Sequence, residues 1–209
     1  MKPIAHFDAV WKRCDQLSAL YAYLSKNVSG VLQPEELLRA EWVARVSSLD
    51  LYIHELVAQQ MAAIFRGERS VSSGYSRFQI SNETLNRIRA AATPSDASAA
   101  FDLEIRDRLS LLTFQDPDKI ADGVRLFTNI ELWNEVALKL GATPATKAAQ
   151  AKHLKTELSL VVQRRNKIAH EGDLQPSLPR APWPINQPDL VLVARLIEKI
   201  VKTIDDIAQ

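Results

Sequence analysis

The segment from Val161 to Asp173, with the sequence VVQRRNKIAHEGD, places a cationic cluster next to a histidine. Arg165, Asn166 and His170 are the residues here whose types could do chemistry. A histidine can give or take a proton near neutral pH. The planar guanidinium of an arginine binds anionic oxygens in pairs. The spacing of these residues raises the question of how a helix would present them together.

A helix is predicted from Thr143 and Pro144 to about His170, closed by Gly172. At about 100° per residue, Arg165 continues the apolar stripe of this helix. The other members of the stripe are Leu154, Leu158, Val161 and Ile168. An arginine in an apolar stripe is costly unless it is paired or contacts a partner. Arg165 is therefore predicted to need such a partner.

Asn166 and His170 are four residues apart, so they lie one turn apart on the adjoining face of the predicted helix. His170 is roughly 140° from Arg165 around an ideal helix. One rigid helix does not easily bring the side chains of Arg165 and His170 together. Because His170 lies in the last turn, the negative end of the helix favours its imidazolium form, which favours the role of an acid.

The same helix is locally basic, with six lysines and arginines and one acid between residues 147 and 170. Cations near a helix C-terminus complement the helix dipole, and this explains Lys147, Lys152 and Lys155. It does not explain Arg165 on the apolar stripe. The whole chain has a net charge of +1, so any nucleic-acid contact must come from a local patch.

The elements that must position these residues are helices. The 209 residues include only six glycines, the apolar spacing is three and four, and no strand pair is convincing. We predict an all-α bundle of about seven to eight helices in one domain, residues 1–209. A first helix ends at NVSG, a long second helix runs from near Pro34 to about Phe65, and a proline-rich loop precedes the last helix.

Composition excludes several classes of function. Cys14 is the only cysteine, so neither an intramolecular disulfide nor a Cys-rich metal site is possible, and no metal or cofactor is predicted. The N-terminal residues carry charges where a signal peptide needs an apolar run. No apolar stretch reaches the length of about eighteen residues that a membrane span requires. We therefore predict a cytoplasmic protein without a membrane span.

The sequence RRNKIAHEGD resembles the signature of the HEPN (higher eukaryotes and prokaryotes nucleotide-binding) superfamily. That signature is an arginine, often followed by a polar residue, and then a histidine after a short gap. Arg165, Asn166 and His170 fit it, and Arg164 fits with a gap one residue longer. The segments SSLDLYIHELV, LWNEVALKLG and RRNKIAHEGDLQP together resemble the RiboL-PSP-HEPN branch, in order and over nearly the whole chain.

The resemblance implies a helical fold, a homodimer and, in active members, a metal-independent endoribonuclease whose arginine and histidine meet at the dimer interface. Two copies of His170 would act as base and acid, while Arg165 would hold the charge of the phosphorane. Asn166 would orient His170 or bind a phosphate oxygen. Arg164 and Lys167 would bind RNA. The expected product is a 2′,3′-cyclic phosphate.

Further residues have two interpretations each. Asp50 and His54 form an intrahelical pair, or Asp50 partners the buried Arg165 while His54 lines the cleft. Glu171 and Asp173 tune His170, or both are solvated loop carboxylates. Trp183 stacks on a base, or it pins the proline loop to the bundle. The remaining tryptophans, predicted to lie in the core, are Trp11, Trp42 and Trp133.

The resemblance favours RNA as the substrate and a role as a toxin or in phage defence, with an antitoxin or a neighbouring effector protein as a further partner. A second hypothesis is a non-catalytic HEPN module that binds RNA, a nucleotide or a protein. A third is a structural helical protein in which Arg165 forms a buried ion pair.

Overall fold

The computed structural model describes residues 2–28 and 33–209, and 74% of these residues are helical. Nine helices and no strand occur in these residues. Eight of the helices have seven or more residues, and the remaining one is a single turn. The all-α prediction of seven to eight helices is therefore confirmed. No helix in the described part of the chain is long and apolar enough to cross a membrane.

The helices are α1 (Pro3–Asn27), α2 (Glu35–Phe65), α3 (Ser73–Ser76), α4 (Asn82–Ala90), α5 (Pro94–Ser110), α6 (Pro117–Arg125), α7 (Leu132–Lys139), α8 (Lys147–Glu171) and α9 (Gln187–Ala208). The long second helix has the predicted bounds. The predicted stop NVSG begins at Asn27, the last residue of α1, while Ser29 and Gly30 lie outside the described residues.

Helix α2 is the centre of the bundle, because α1, α5, α6, α8 and α9 all pack against it. Its side chains are buried on several faces, including the fully buried Leu49, Ile53 and Val57. One apolar cluster collects side chains from α1 through α9, from Phe7 to Ala208. A helix that is apolar on most faces must be surrounded by other elements, which explains how a helix of 31 residues is accommodated.

Helices α2 and α8 run antiparallel, which fixes where the end of α8 lies. The indole nitrogen Nε1 of Trp42 donates to the carbonyl oxygen of Val161 at 3.0 Å. Nearer the start of α2, Arg39 contacts Asp173, just beyond the end of α8. The C-terminal end of α8 is therefore held beside the N-terminal end of α2.

The helix starts follow local capping chemistry. Ser81, Thr93, Asp116 and Asn186 each accept a backbone N–H bond at the start of α4, α5, α6 and α9. The predicted start of the signature helix at Thr143 is wrong, because α8 begins at Lys147. The carbonyl of Thr143 accepts from the N–H groups of both Thr146 and Lys147, so the chain makes a turn before the helix. The predicted stop is confirmed, since Gly172 is left-handed with φ of 64°.

Candidate functional site

The last turns of α8 extend beyond the core of the bundle. Leu154 and Leu158 are fully buried, and Val161 is 7% exposed. Arg165 and Ile168, which continue the same stripe, are only half-buried, and Ala169 is exposed. The apolar stripe is thus confirmed as far as Val161, and Arg165 lies at the rim where the helix leaves the core.

Arg165 has a neutral partner. Its Nη1 donates to Oδ1 of Asn166 at 3.0 Å, and its Nε is buried without a hydrogen-bond partner. Within the described residues, no carboxylate lies at salt-bridge distance from Arg165. The predicted ion pair between Asp50 and Arg165 is therefore not formed within one chain. The guanidinium keeps a positive charge that this part of the protein does not neutralise.

Asp50 instead holds the segment before α6. Its carboxylate accepts from the backbone N–H of Phe114 and, at 3.1 Å, from the amide of Gln115. The Nε2 of His54 lies 3.6 Å from the same carboxylate, and the His54 ring packs on the ring of Phe114 at 4.7 Å. The interpretation of Asp50 and His54 as an intrahelical pair agrees with this geometry.

The position of Asp50 on α2 separates it from the signature. Trp42 is the α2 residue that touches Val161, one turn before Arg165. Asp50 follows Trp42 by eight residues, which is about 12 Å of helix rise, in the direction away from the end of α8. Asp50 and His54 therefore do not line the same surface as His170 within one chain.

Arg164 belongs to a buried ionic network. Its Nη2 donates to Oδ2 of Asp173 at 2.7 Å and to the carbonyl of Pro184 at 3.1 Å. The Nε of Arg39 donates to the same Oδ2 at 3.1 Å, and Arg39 also donates to the carbonyl of Trp183 at 2.8 Å. These contacts show that Arg164 supports the helix end, and its role in binding RNA stays a prediction.

Asp173 is the centre of this network, and no sequence pattern indicated its contacts with Arg39 and Arg164. The expectation of a solvated loop carboxylate at this position is wrong, because Asp173 is 0% exposed. Its backbone is left-handed at φ of 57°, which aspartate tolerates better than most residues. Its N–H donates to the carbonyl of Lys167, and its own carbonyl accepts from the N–H of Trp183 at 2.7 Å. These bonds tie the proline loop to the end of α8.

The tryptophans divide into two groups. Trp133 lies in the main apolar cluster, and Trp11 and Trp42 pack against it, so their predicted core positions are confirmed. The ring of Trp183 belongs to neither apolar cluster of the described residues. The proline loop is anchored by Ile185, which packs with Leu38 and Leu190. No sequence signal distinguished Ile185 from Trp183 as the anchor.

The remaining predicted site residues face solvent. Asn166, Lys167, His170 and Glu171 are all exposed on the last two turns of α8. The ammonium of Lys167 lies 5.8 Å from the centroid of the Trp183 ring. No group of three or more His, Cys, Asp or Glu residues in residues 2–28 and 33–209 could hold a metal ion. The site offers one imidazole, one unneutralised guanidinium, one amide and one ammonium, which suit proton transfer and the binding of a phosphate.

An all-α fold with arginine, asparagine and histidine at one helix end is typical of HEPN domains, a family with RNA-related functions. The family model RiboL-PSP-HEPN matches residues 10–209, and the chain belongs to this family. The match covers the segment that contains Arg165, Asn166 and His170, as the sequence resemblance predicted. No curated protein and no solved structure matches the chain.

Proposed function

We propose that the protein is a metal-independent endoribonuclease that works as a homodimer. In this proposal, Arg165, Asn166 and His170 of both protomers form one composite site across the two-fold axis. The observation that carries the proposal is the half-buried Arg165, which has an amide but no carboxylate partner in the described residues. An anionic phosphate would supply the missing counter-charge.

The proposed reaction is attack of the RNA 2′-hydroxyl on the adjacent phosphorus. The neutral imidazole of one His170 takes the hydroxyl proton as the O2′–P bond forms. The imidazolium of the second His170 gives a proton to the leaving 5′-oxygen as the P–O5′ bond breaks. The products are a 2′,3′-cyclic phosphate and a 5′-hydroxyl. Arg165 stabilises the added negative charge on the phosphorane, where an electrostatic contact has its largest effect on rate.

The position of Asn166 supports a role in holding the arginine. Its Oδ1 accepts from Nη1 of Arg165, which leaves the amide NH₂ of Asn166 free to donate to a phosphate oxygen or to His170 one turn further on. Because Asn166 and His170 are both exposed, a second copy of the same helix end can approach them. Arg165 and His170 are roughly 140° apart around one helix. A two-fold axis at this helix end would bring Arg165 of one protomer close to His170 of the other.

The non-catalytic alternative retains RNA binding without cleavage. The structural alternative required Arg165 to form a buried ion pair, but the arginine that pairs with the buried Asp173 is Arg164.

We also propose that residues 1–209 form one domain, which the shared apolar cluster of α1 through α9 supports. A cytoplasmic toxin or phage-defence role, with an antitoxin or effector partner, is the setting we propose from the family.

The decisive experiment incubates the protein with a 5′-labelled RNA in EDTA, beside His170→Ala and Arg165→Ala. We expect wild type to cleave and to leave a 2′,3′-cyclic phosphate, and both variants to lose at least about a hundredfold in rate. Lys152→Ala, an exposed cation earlier on α8, is the matched control and should retain activity. Binding without cleavage by wild type would instead establish the non-catalytic module.

A further inference from the structure

A groove opens beside the signature, between the end of α8 and the proline loop. Its volume is about 510 Å³. Lys167 and Glu171 line it from α8, and Gln175, Arg180 and Trp183 line it from the loop. Lys167 precedes His170 by three residues, so the two side chains are neighbours on the surface of α8 and the groove adjoins His170 of the proposed active site.

The half-buried Trp183 ring takes no part in the apolar clusters of the described residues, and the Lys167 ammonium lies over it. Ile185 anchors the loop in its place. The backbone of Trp183 is nevertheless fixed on both sides. Its N–H donates to Asp173 at 2.7 Å, and its carbonyl accepts from Arg39 at 2.8 Å. A half-buried aromatic ring on a rigidly held backbone is preorganised for stacking, since little entropy remains to be lost on binding.

The charges of the groove suit a nucleotide. The ammonium of Lys167 is 5.8 Å from the Trp183 ring, and the exposed Arg180 lines the same groove. An aromatic ring flanked by cations is the usual means of holding a single strand, with the base on the ring and the backbone on the cations. Glu171 opposes this charge, and the groove retains one net positive charge from Lys167, Arg180 and Glu171.

We infer that this groove holds one nucleotide of a single-stranded RNA beside the scissile phosphate. The base stacks on Trp183, and Arg180 and Lys167 bind the phosphate. The inference rests on the RNA substrate of the proposed function, but it does not require cleavage. It assigns Trp183 and Arg180 as RNA-binding residues, which contact the substrate away from the reacting atoms.

The test is fluorescence anisotropy with a fluorescein-labelled oligouridine of twelve nucleotides in EDTA, on a His170→Ala background that leaves the RNA intact. Trp183→Leu should raise the dissociation constant about tenfold, because stacking on one ring is lost. Arg180→Ala should weaken binding and lower the slope of log affinity against log salt by about 0.7. Arg89→Ala, which removes one exposed cation from α4, should change neither quantity.

Glu171→Gln gives an opposite prediction. Removing this carboxylate from the groove should tighten RNA binding about threefold, because the repulsion of the phosphate is relieved. If Trp183→Leu is less stable than wild type, Arg180→Ala and Glu171→Gln still test whether the groove binds RNA. Both side chains are exposed, so these substitutions should leave the fold intact.

Unchanged affinity in Trp183→Leu and Arg180→Ala would overturn the inference even if wild type cleaves RNA. Absence of RNA binding by the His170→Ala protein would also overturn it. Weakened binding in both variants, without cleavage by wild type, would support the groove and reject the proposed catalysis. The failure of the groove and the failure of the proposed activity are therefore distinguishable.

Discussion

Arg164 donates a 2.7 Å hydrogen bond to the buried carboxylate of Asp173. Its neighbour Arg165 contacts only an amide among the polar groups of residues 2–28 and 33–209. Two consecutive arginines of one signature, both half-buried, thus have different partners, a buried carboxylate for Arg164 and a neutral amide for Arg165. This difference separates a role in stability from a role in activity.

Asp173→Asn should therefore destabilise the fold. The substitution keeps the size of the side chain and its tolerance of a left-handed backbone. It removes the carboxylate that pairs with Arg164 and one of the two that pair with Arg39, which keeps its contact with Glu36. We expect a loss of about 3 kcal/mol in the free energy of unfolding, measured by urea denaturation. Arg165→Ala is the control and should cost no more than about 1 kcal/mol. An equal loss in both variants would contradict the division between the two arginines.

A composite site predicts that activity depends on the dimer. Diluting the protein through its dimer dissociation constant should lower RNA cleavage per protomer in proportion to the dimer fraction, measured by analytical ultracentrifugation. Excess His170→Ala protein should also inhibit a small amount of wild type, because a mixed dimer has only one of the two imidazoles. If neither dilution nor excess His170→Ala protein changes the cleavage rate per wild-type protomer, each protomer acts alone.

Asp50→Asn tests whether Asp50 stabilises the segment before α6 and has no part in the active site. One carboxylate oxygen of Asp50 accepts from the backbone N–H of Phe114 and the other from the side-chain amide of Gln115, and asparagine would replace one of these two acceptors with an NH₂ donor. We expect a loss of about 2 kcal/mol in unfolding free energy. The cleavage rate of the folded variant should remain that of wild type. Asp118→Asn, which alters an exposed carboxylate paired with Lys155, is the control and should cost under about 1 kcal/mol. Loss of cleavage in Asp50→Asn without loss of stability would instead support the alternative in which Asp50 partners Arg165 and His54 lines the cleft.

Much of the fold was predictable because its causes are local. Apolar spacing predicted the long helices, and Ser81 and Gly172 marked their ends through capping and a left-handed turn. The start of α8 was misplaced by a few residues. Thr143 and Pro144 favour a helix start, but the Thr143 carbonyl closes a turn first.

The candidate site could be predicted from the sequence in its residues, but the contacts that support the helix end could not. A helical wheel placed Arg165 on the apolar stripe, and the family signature selected Asn166 and His170. The network of Arg39, Arg164 and Asp173 joins residues more than a hundred positions apart in sequence, so no local pattern indicates it. Only the antiparallel packing of α8 on α2 brings these charges together.

Acid should weaken the contact between α4 and α5. Hydrogen bonds from the Thr84 hydroxyl and from Arg108, followed by contacts with Ser81, lower the pKa of Glu104 from 4.5 to about 2. A carboxyl whose pKa falls on folding stabilises the protein above its unfolded pKa, and this contribution is lost as pH falls towards the folded value. The melting temperature of wild type should therefore fall more steeply between pH 4.5 and 2 than that of Glu104→Gln, measured by circular dichroism. Glu83→Gln, which alters an exposed carboxylate on α4, should follow the wild-type curve. Parallel curves for wild type and Glu104→Gln would contradict the assignment of this pH dependence to Glu104.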